Sequence, residues 1–266
     1  MKKITVLDIV GMKAGGRKIP VLTAYSFPMA RILDEAGIPM FIVGDSVGMV
    51  EAGHENTLPV TVDEMIYHTR AVARGRINAL LVTDMPFGSY QTGIDDARRN
   101  AARVVKEGGA EAVKVEGGRR TAVVIKAITD MDIPVMGHIG LTPQSIHRMG
   151  GFRVQGKLAA DGERLIEDAR AVEEAGAFSI VLEGIPAGLA KNITGAIGIP
   201  TIGIGAGAHC DGQVLVINDI LGLNADTRLP KYVKKYADLR SEISSATARY
   251  IKDVSEGIFP SEEHSY

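Results

Sequence analysis

The chain carries a single cysteine, Cys210, so no intrachain disulfide can form, which fits a reducing, cytoplasmic compartment. No apolar run approaches the ~20 residues that span a bilayer. The opening stretch, MKKITVLDIVGMKAGG, begins with two lysines, but Asp8 and Lys13 interrupt its apolar part and make it a poor signal peptide. Neither sign of charge dominates: 30 Lys and Arg stand against 32 Asp and Glu, interspersed along the chain. The basic footprint of a nucleic-acid binder is therefore missing. There is no linker, no low-complexity segment and no internal repeat. Together these absences argue against membrane and nucleic-acid partners and leave a globular protein acting on small molecules.

What is present is a regular alternation. At 266 residues the chain has the length of one α/β barrel, typically ~250 residues, and 45% apolar content can fill a large core. Apolar runs at 19–25, 39–44, 79–84, 111–117, 133–138, 177–184, 200–205 and 213–219 read as eight strands. Most are continuously apolar, as in parallel strands covered on both faces. Helical segments lie between them. Pro28 starts one that Gly37 stops, and Thr61-Val62-Asp63-Glu64 forms a capping box before 65–74. Further helices read at 95–106, 120–129, 161–175 and 186–196. This pattern predicts βαβ units closing into a (β/α)8 TIM barrel, one domain over 1–266. Residues 4–13 are expected to form an extra helix closing the bottom of the barrel. From about 232 the chain reads as a helical tail that frays at 258–266.

Barrel active sites lie at the C-terminal ends of the strands. Three successive runs carry an acid there: Asp45 after FIVG, Asp84 ending ALLVTD and Glu116 ending EAVKVE. Neighbouring strands are ~4.8 Å apart, so the three carboxylates can converge, and a hard divalent cation, most simply Mg²⁺, would relieve their repulsion. Singly, Asp45 and Asp84 also suit helix N-caps. Lys114 shares a strand face with Glu116, so it projects into the barrel, either as an ion-pair partner of Glu116 or as a holder of an anionic substrate group. Glu183, ending strand six across the mouth, suits a general base or a cap of the next helix. His138 ends strand five and suits either a ligand-orienting role behind the primary contacts or a structural one. Two long loops, 45–60 and 139–157, lie at the same face, the second carrying Arg148, Arg153 and Lys157. The run GIGAGA at 203–208 matches a dinucleotide fingerprint, but a strand rather than a helix is expected next, so its glycines read as a tight turn.

Taken in order, the segments TAYSFPMARILDEAGI, VGDSVGMV, LPVTVDEMIYHTRAV, DMPFGSY, AVKVEGG, GHIGLTPQS with GGFRVQGK, VLEGIP and GIGAGAHCDGQVLVINDILG resemble the ketopantoate hydroxymethyltransferase family, from about Thr5 to Tyr236. The resemblance implies a Mg²⁺-dependent barrel in the pantothenate branch of coenzyme A biosynthesis. Such an enzyme transfers a hydroxymethyl group from 5,10-methylenetetrahydrofolate to 3-methyl-2-oxobutanoate, giving ketopantoate through a metal-stabilised enolate. It implies Asp45, Asp84 and Glu116 as metal-site acids. It also implies Asp45, Ser46, Asp84 and Lys114 as substrate contacts and Glu183 as proton acceptor. A homo-oligomer is implied too, a decamer by the family's pattern. The competing expectation is a metal-dependent 2-oxo acid lyase or aldolase of the phosphoenolpyruvate/pyruvate barrel type, which would need no folate.

Overall fold

Strands and helices alternate as the apolar runs predict. In the computed structural model, which describes residues 2–224 and 229–266, the chain divides into two units, Met1–Val216 and Ile217–Tyr266. The first contains eight parallel strands: β1 Ile19–Thr23, β2 Met40–Val43, β3 Leu80–Asp84, β4 Ala112–Glu116, β5 Val135–Gly140, β6 Ser179–Glu183, β7 Thr201–Ile204 and β8 Gly212–Leu215. Each pairs with its sequence neighbour, and β8 returns to β1 with Val214 opposite Val21, so the barrel is closed.

Side chains alternate along each strand, and the barrel sorts them into two cores. Ile19, Val21, Met40, Ile42, Leu80, Val82 and Met136 fill the interior with Ile9 from the N-terminal helix. The intervening residues, Val113, Val115, Val135, Ile139, Ile180 and Leu182, face outward and pack with Ala97, Ile125, Ile128, Val172 and Ile193 of the surrounding helices. This double covering is why the strands read as continuous apolar runs.

The N-terminal helix, Val6–Ala14, starts at a capping box in which Thr5 Oγ1 accepts from the Asp8 N–H and Asp8 Oδ2 accepts from the Thr5 N–H. It closes the barrel bottom as expected. Buried Ile9 plugs the interior, and Lys13 Nζ donates to the carbonyls of Thr194, Ile197 and Ile199 at 3.2, 3.1 and 2.9 Å while pairing with Asp211 at 3.1 Å.

Two boundaries differ from the sequence reading, and one expected turn is present. The eighth apolar run, expected over 213–219, is strand only to Leu215; Ile217–Leu221 is helical. A run this short fits strand and helix periodicity equally. Residues 205–211 carry β7 to β8 without a helix, with Gly205 and Gly207 at positive φ, so the glycine-rich run is a turn and no dinucleotide fingerprint. In the second unit the tail helix starts at Leu239 rather than near 232, and runs to Ser255 with no buried residue.

Candidate active site

On four of the strands, β3 to β6, the interior face is apolar lower down and turns polar toward the C-terminal end. On β3 the inward column Leu80, Val82 ends in Asp84; on β4 Ala112 is followed by Lys114 and Glu116; on β5 Met136 is followed by His138; on β6 Val181 is followed by Glu183. The register then assembles them, with Asp84 opposite Lys114 and Glu116 opposite His138. Asp45 and Ser46 lie in the turn just past β2. Gly44 makes room there: a Cβ at that position would lie 2.7 Å from Ser46 Oγ and 3.6 Å from Asp84 Oδ2.

These groups form one contact chain. The Asp45 N–H donates to Asp84 Oδ2 at 3.1 Å. Lys114 Nζ is 3.1 Å from Asp84 Oδ2, 3.9 Å from Glu116 Oε1 and 3.3 Å from His138 Nδ1. His138 Nδ1 is 3.4 Å from Glu116 Oε1, and its Nε2 approaches Glu183 Oε2 to 3.3 Å, outside hydrogen-bond geometry. All but Glu183 are buried; Glu183 keeps 13% of its side chain exposed, so it alone faces the mouth. The close approach of β5 to β6 at this point depends on Gly140, whose φ is +93° and whose added Cβ would sit 2.2 Å from the Glu183 carbonyl oxygen.

All the sequence-predicted site acids and bases thus meet. Lys114 pairs with Asp84 more closely than with the Glu116 expected from their shared strand face. Ser46 accompanies them, its Oγ 2.8 Å from the hydroxyl of buried Tyr25, whose carbonyl is 2.8 Å from His68 Nδ1. Arg148, Arg153 and Lys157 stay on the loop surface. Two contributors were missed from sequence. Gln144 is buried over the mouth, bonded to both Asp45 and Glu116, and Tyr90 donates to Gln144 Oε1 at 2.7 Å. Beside the tips of β4 and β5 a cleft of about 460 Å³ opens between Gly117, Gly140, Thr142, Arg148, Arg164 and Asp168.

Burial, reinforced by the Asp84 and Glu116 charges, pushes the Asp45 carboxyl up to about 8. Burial raises Asp84 as well, against the pull of Lys114. Burial alone would raise Glu116, but the hydrogen bond and charge of His138, together with Lys114, hold it below the ordinary range. Burial opposes the charge on Lys114, yet the three carboxylates raise it. Burial and Lys114 also oppose protonation of His138, but Glu116 and Glu183 override them and push it up to about 9. Four carboxyl groups, Asp45, Asp84, Glu116 and Glu183, thus gather around two basic groups, Lys114 and His138, an acid-rich cluster whose mutual repulsion a divalent cation would relieve.

The donor set suits such an ion. It consists of carboxylate oxygens, and Asp84 Oδ1 is buried without a hydrogen-bond partner, a costly state that coordination would relieve. Among the described residues no three acid, histidine or cysteine side chains are spaced to hold a metal ion as they stand. Lys114 Nζ instead sits against Asp84 within the cluster.

A family model described as ketopantoate hydroxymethyltransferase matches residues 3–262. The 3-methyl-2-oxobutanoate hydroxymethyltransferase of Geobacter sulfurreducens is 66% identical over 98% of this chain and 98% of its own length. Its counterpart in Geobacter metallireducens is 63% identical over 100% and 99%. Among solved structures, a 2,3-dimethylmalate lyase of the PEP mutase/isocitrate lyase superfamily superimposes with TM-score 0.62 at 15% identity, covering 98% of this chain and 91% of that one. A phosphonopyruvate hydrolase in complex with oxalate and Mg²⁺ gives 0.62 at 13%, covering 99% and 93%. At such identities these two likenesses speak for the barrel alone.

Proposed function

The chain belongs to the ketopantoate hydroxymethyltransferase family, and from that premise we propose that it transfers a hydroxymethyl group from 5,10-methylenetetrahydrofolate to 3-methyl-2-oxobutanoate, forming ketopantoate. The observation that carries the reading of the site is the cluster of three buried carboxyl groups, Asp45, Asp84 and Glu116, around the unpartnered Asp84 Oδ1, with a separate carboxyl group, Glu183, at the open side.

Asp45, Asp84 and Glu116 would hold the divalent cation, most simply Mg²⁺, which when bound supplies Lewis-acid stabilisation of charge developing on the keto oxygen of the oxo acid. The other roles belong to the chain itself. Lys114 offers a fixed positive charge to the substrate carboxylate, where it needs no reorganisation during the reaction. Ser46, its Oγ held by Tyr25, presents a hydroxyl beside Asp45. Glu183 takes the C3 proton, leaving the electron pair to form the enolate. His138, its Nε2 3.3 Å from Glu183 Oε2 and its imidazole pushed up to about 9 by Glu116 and Glu183, stands behind that carboxyl group and favours its charge. Water supplies the oxygen: it adds to the methylene carbon of the folate, both carbon–nitrogen bonds break with their electrons going to nitrogen, and the enolate carbon bonds to the resulting formaldehyde-level carbon, whose carbonyl oxygen takes the electron pair and a proton to become the new hydroxyl. The cleft beside β4 and β5 offers room for the folate, with Arg148 and Arg164 toward its anionic end. Its volume falls within the usual range for ligand sites, about 300–1,000 Å³.

The test is an assay of 3-methyl-2-oxobutanoate with and without methylene-tetrahydrofolate, and with and without divalent metal. Ketopantoate should appear only when both are supplied. Carbon–carbon cleavage of a 2-oxo acid in the absence of folate would instead assign a lyase. Full activity in exhaustively metal-stripped protein would remove the cation from the account.

A further inference from the structure

Gln144 belongs neither to a strand nor to the set of charged groups, yet it bonds two of them, Asp45 and Glu116. It sits in the turn Pro143–Ser145 that opens the mouth loop, and it is 6% exposed. Its side-chain Nε2 donates to Asp45 Oδ2 and to the Met85 carbonyl, both at 2.9 Å. Its Oε1 accepts from Tyr90 OH at 2.7 Å and from Gln91 Nε2 at 3.0 Å. Its main-chain N–H donates to Glu116 Oε2 at 3.0 Å. A primary amide has two N–H donors and two carbonyl lone pairs, and all four are used. The amide orientation is fixed by chemistry: the Met85 carbonyl can only accept, so it must face the nitrogen.

From one residue, then, two carboxylates on different parts of the barrel are held, one by the side chain and one by the main chain. Asp45 needs this most. It lies in a turn beyond β2, so no strand ladder fixes its backbone, whereas Asp84 and Glu116 end strands. Tyr90 in turn is pinned at 3.2 Å by the Glu116 N–H donating to its hydroxyl oxygen, so the frame closes on itself. We infer that Gln144 is a positioning residue which sets Asp45 against Glu116 in the orientation that a divalent cation requires, acting through these carboxylates rather than on substrate. The inference rests on the reading of the cluster as a metal centre given above. It also ties the start of the 139–157 loop to that centre.

The experiment is titration of Mg²⁺ into metal-stripped wild-type protein and Gln144→Met by calorimetry, alongside kinetics at varied Mg²⁺. Methionine keeps the unbranched length but loses every side-chain hydrogen bond, while the main-chain bond to Glu116 remains. Partners standing behind metal ligands commonly control affinity by about 10–100-fold, so the Mg²⁺ Kd should rise within that range. The Mg²⁺ concentration giving half-maximal turnover should rise by the same factor, while kcat at saturating Mg²⁺ falls by less. A merely structural role would lower Tm and leave the Mg²⁺ Kd where it was; that result overturns the inference. Tyr90→Phe removes the hydroxyl that holds Oε1 and accepts from the Glu116 N–H, loosening the same frame without touching Gln144, so it serves if Gln144→Met does not fold. Its Kd should shift in the same direction by a smaller factor, and an unchanged Kd overturns the inference equally. If wild-type protein itself takes up no Mg²⁺, the metal reading fails with it. If wild type binds and the variants bind as well, only the role of Gln144 falls.

Discussion

Lys114 and Asp84 face each other across the β3–β4 ladder, paired in register, with Nζ and Oδ2 3.1 Å apart and both side chains almost wholly buried. Breaking a buried pair leaves an uncompensated charge and typically costs about 3–5 kcal/mol. Lys114→Met should lose stability on that scale in metal-free protein, because Asp84 then lacks its ion-pair partner and Asp45 and Glu116 lose a neighbouring positive charge. A divalent cation should restore more of the melting temperature in the variant than it adds to wild type. Denaturation with chelator and with Mg²⁺ measures both. Equal Mg²⁺ increments would show that the ion and Lys114 do not answer the same charges.

Asp84→Asn keeps the size of the side chain but removes a charge and replaces one oxygen by an amide nitrogen. Mg²⁺ affinity should fall by roughly tenfold or more, and KM for the oxo acid should rise with it. Calorimetric binding at wild-type strength would take Asp84 out of the metal set.

Proton removal from C3 should need Glu183 and the cation but no folate. Wild-type protein with Mg²⁺ in D₂O should exchange the C3 hydrogen of 3-methyl-2-oxobutanoate with no one-carbon donor present. Glu183→Gln should slow that exchange by about 10²–10⁴-fold, the usual contribution of a general base, while still binding the oxo acid. NMR follows the exchange directly. Wild-type exchange in the variant would assign the base elsewhere.

Two groups make the metal-free protein sensitive to alkali. Asp45 is raised from 3.8 to about 8 and His138 from 6.5 to about 9. In both, the folded state binds protons more tightly than the unfolded chain does. Stability is then fullest below the unfolded values and falls as pH rises through the folded ones. Chemical denaturation of chelated protein should show that decline between about pH 4 and pH 9, from the unfolded value of Asp45 to the folded value of His138. Mg²⁺ should flatten it, since the ion favours ionised Asp45. A metal-free profile that rises over this interval would contradict the assigned charge states.

Asp34 tests the fold away from the site. It accepts from the main-chain N–H groups of Asn78 and Ala79 at 2.9 and 2.8 Å, anchoring the helix Phe27–Glu35 to the entrance of β3. Burial alone would raise its carboxyl, but these donors hold it below the ordinary 3.8. Its contribution is therefore present above that value and lost as pH falls through the lowered one. Asp34→Asn should cost about 1.5–3 kcal/mol, the scale of hydrogen bonds to a charged group, measured by urea unfolding at neutral pH.

The barrel was legible because two-sided burial forces long apolar runs, and because the charged residues at their ends break that rule where the chemistry lies. Lys114 was the plainest case: strand alternation alone turns it inward, and an inward lysine needs a partner. Gln144 and Tyr90 left no such mark. A neutral amide in a loop is unremarkable in sequence, and its bond to Asp45, 99 residues away, exists only after β2 and β5 have been brought to the same mouth. The end of β8 was misjudged for a related reason. The apolar stretch continues past Leu215, and nothing in its composition marks where strand gives way to helix.

The plug at the bottom of the barrel bears on how the chain is made. Lys13 binds carbonyls 181 to 186 residues downstream, and β1 finds its second neighbour only in β8. During synthesis at about 5–20 residues per second, β1 therefore waits roughly 10–40 seconds with one edge unpaired. The nascent protein must pass through a stage as an open sheet whose first and last members are both available to the wrong partner. Closure therefore waits for β8, and the helix that seals the barrel is made before any of its strands yet is among the last of its elements to dock.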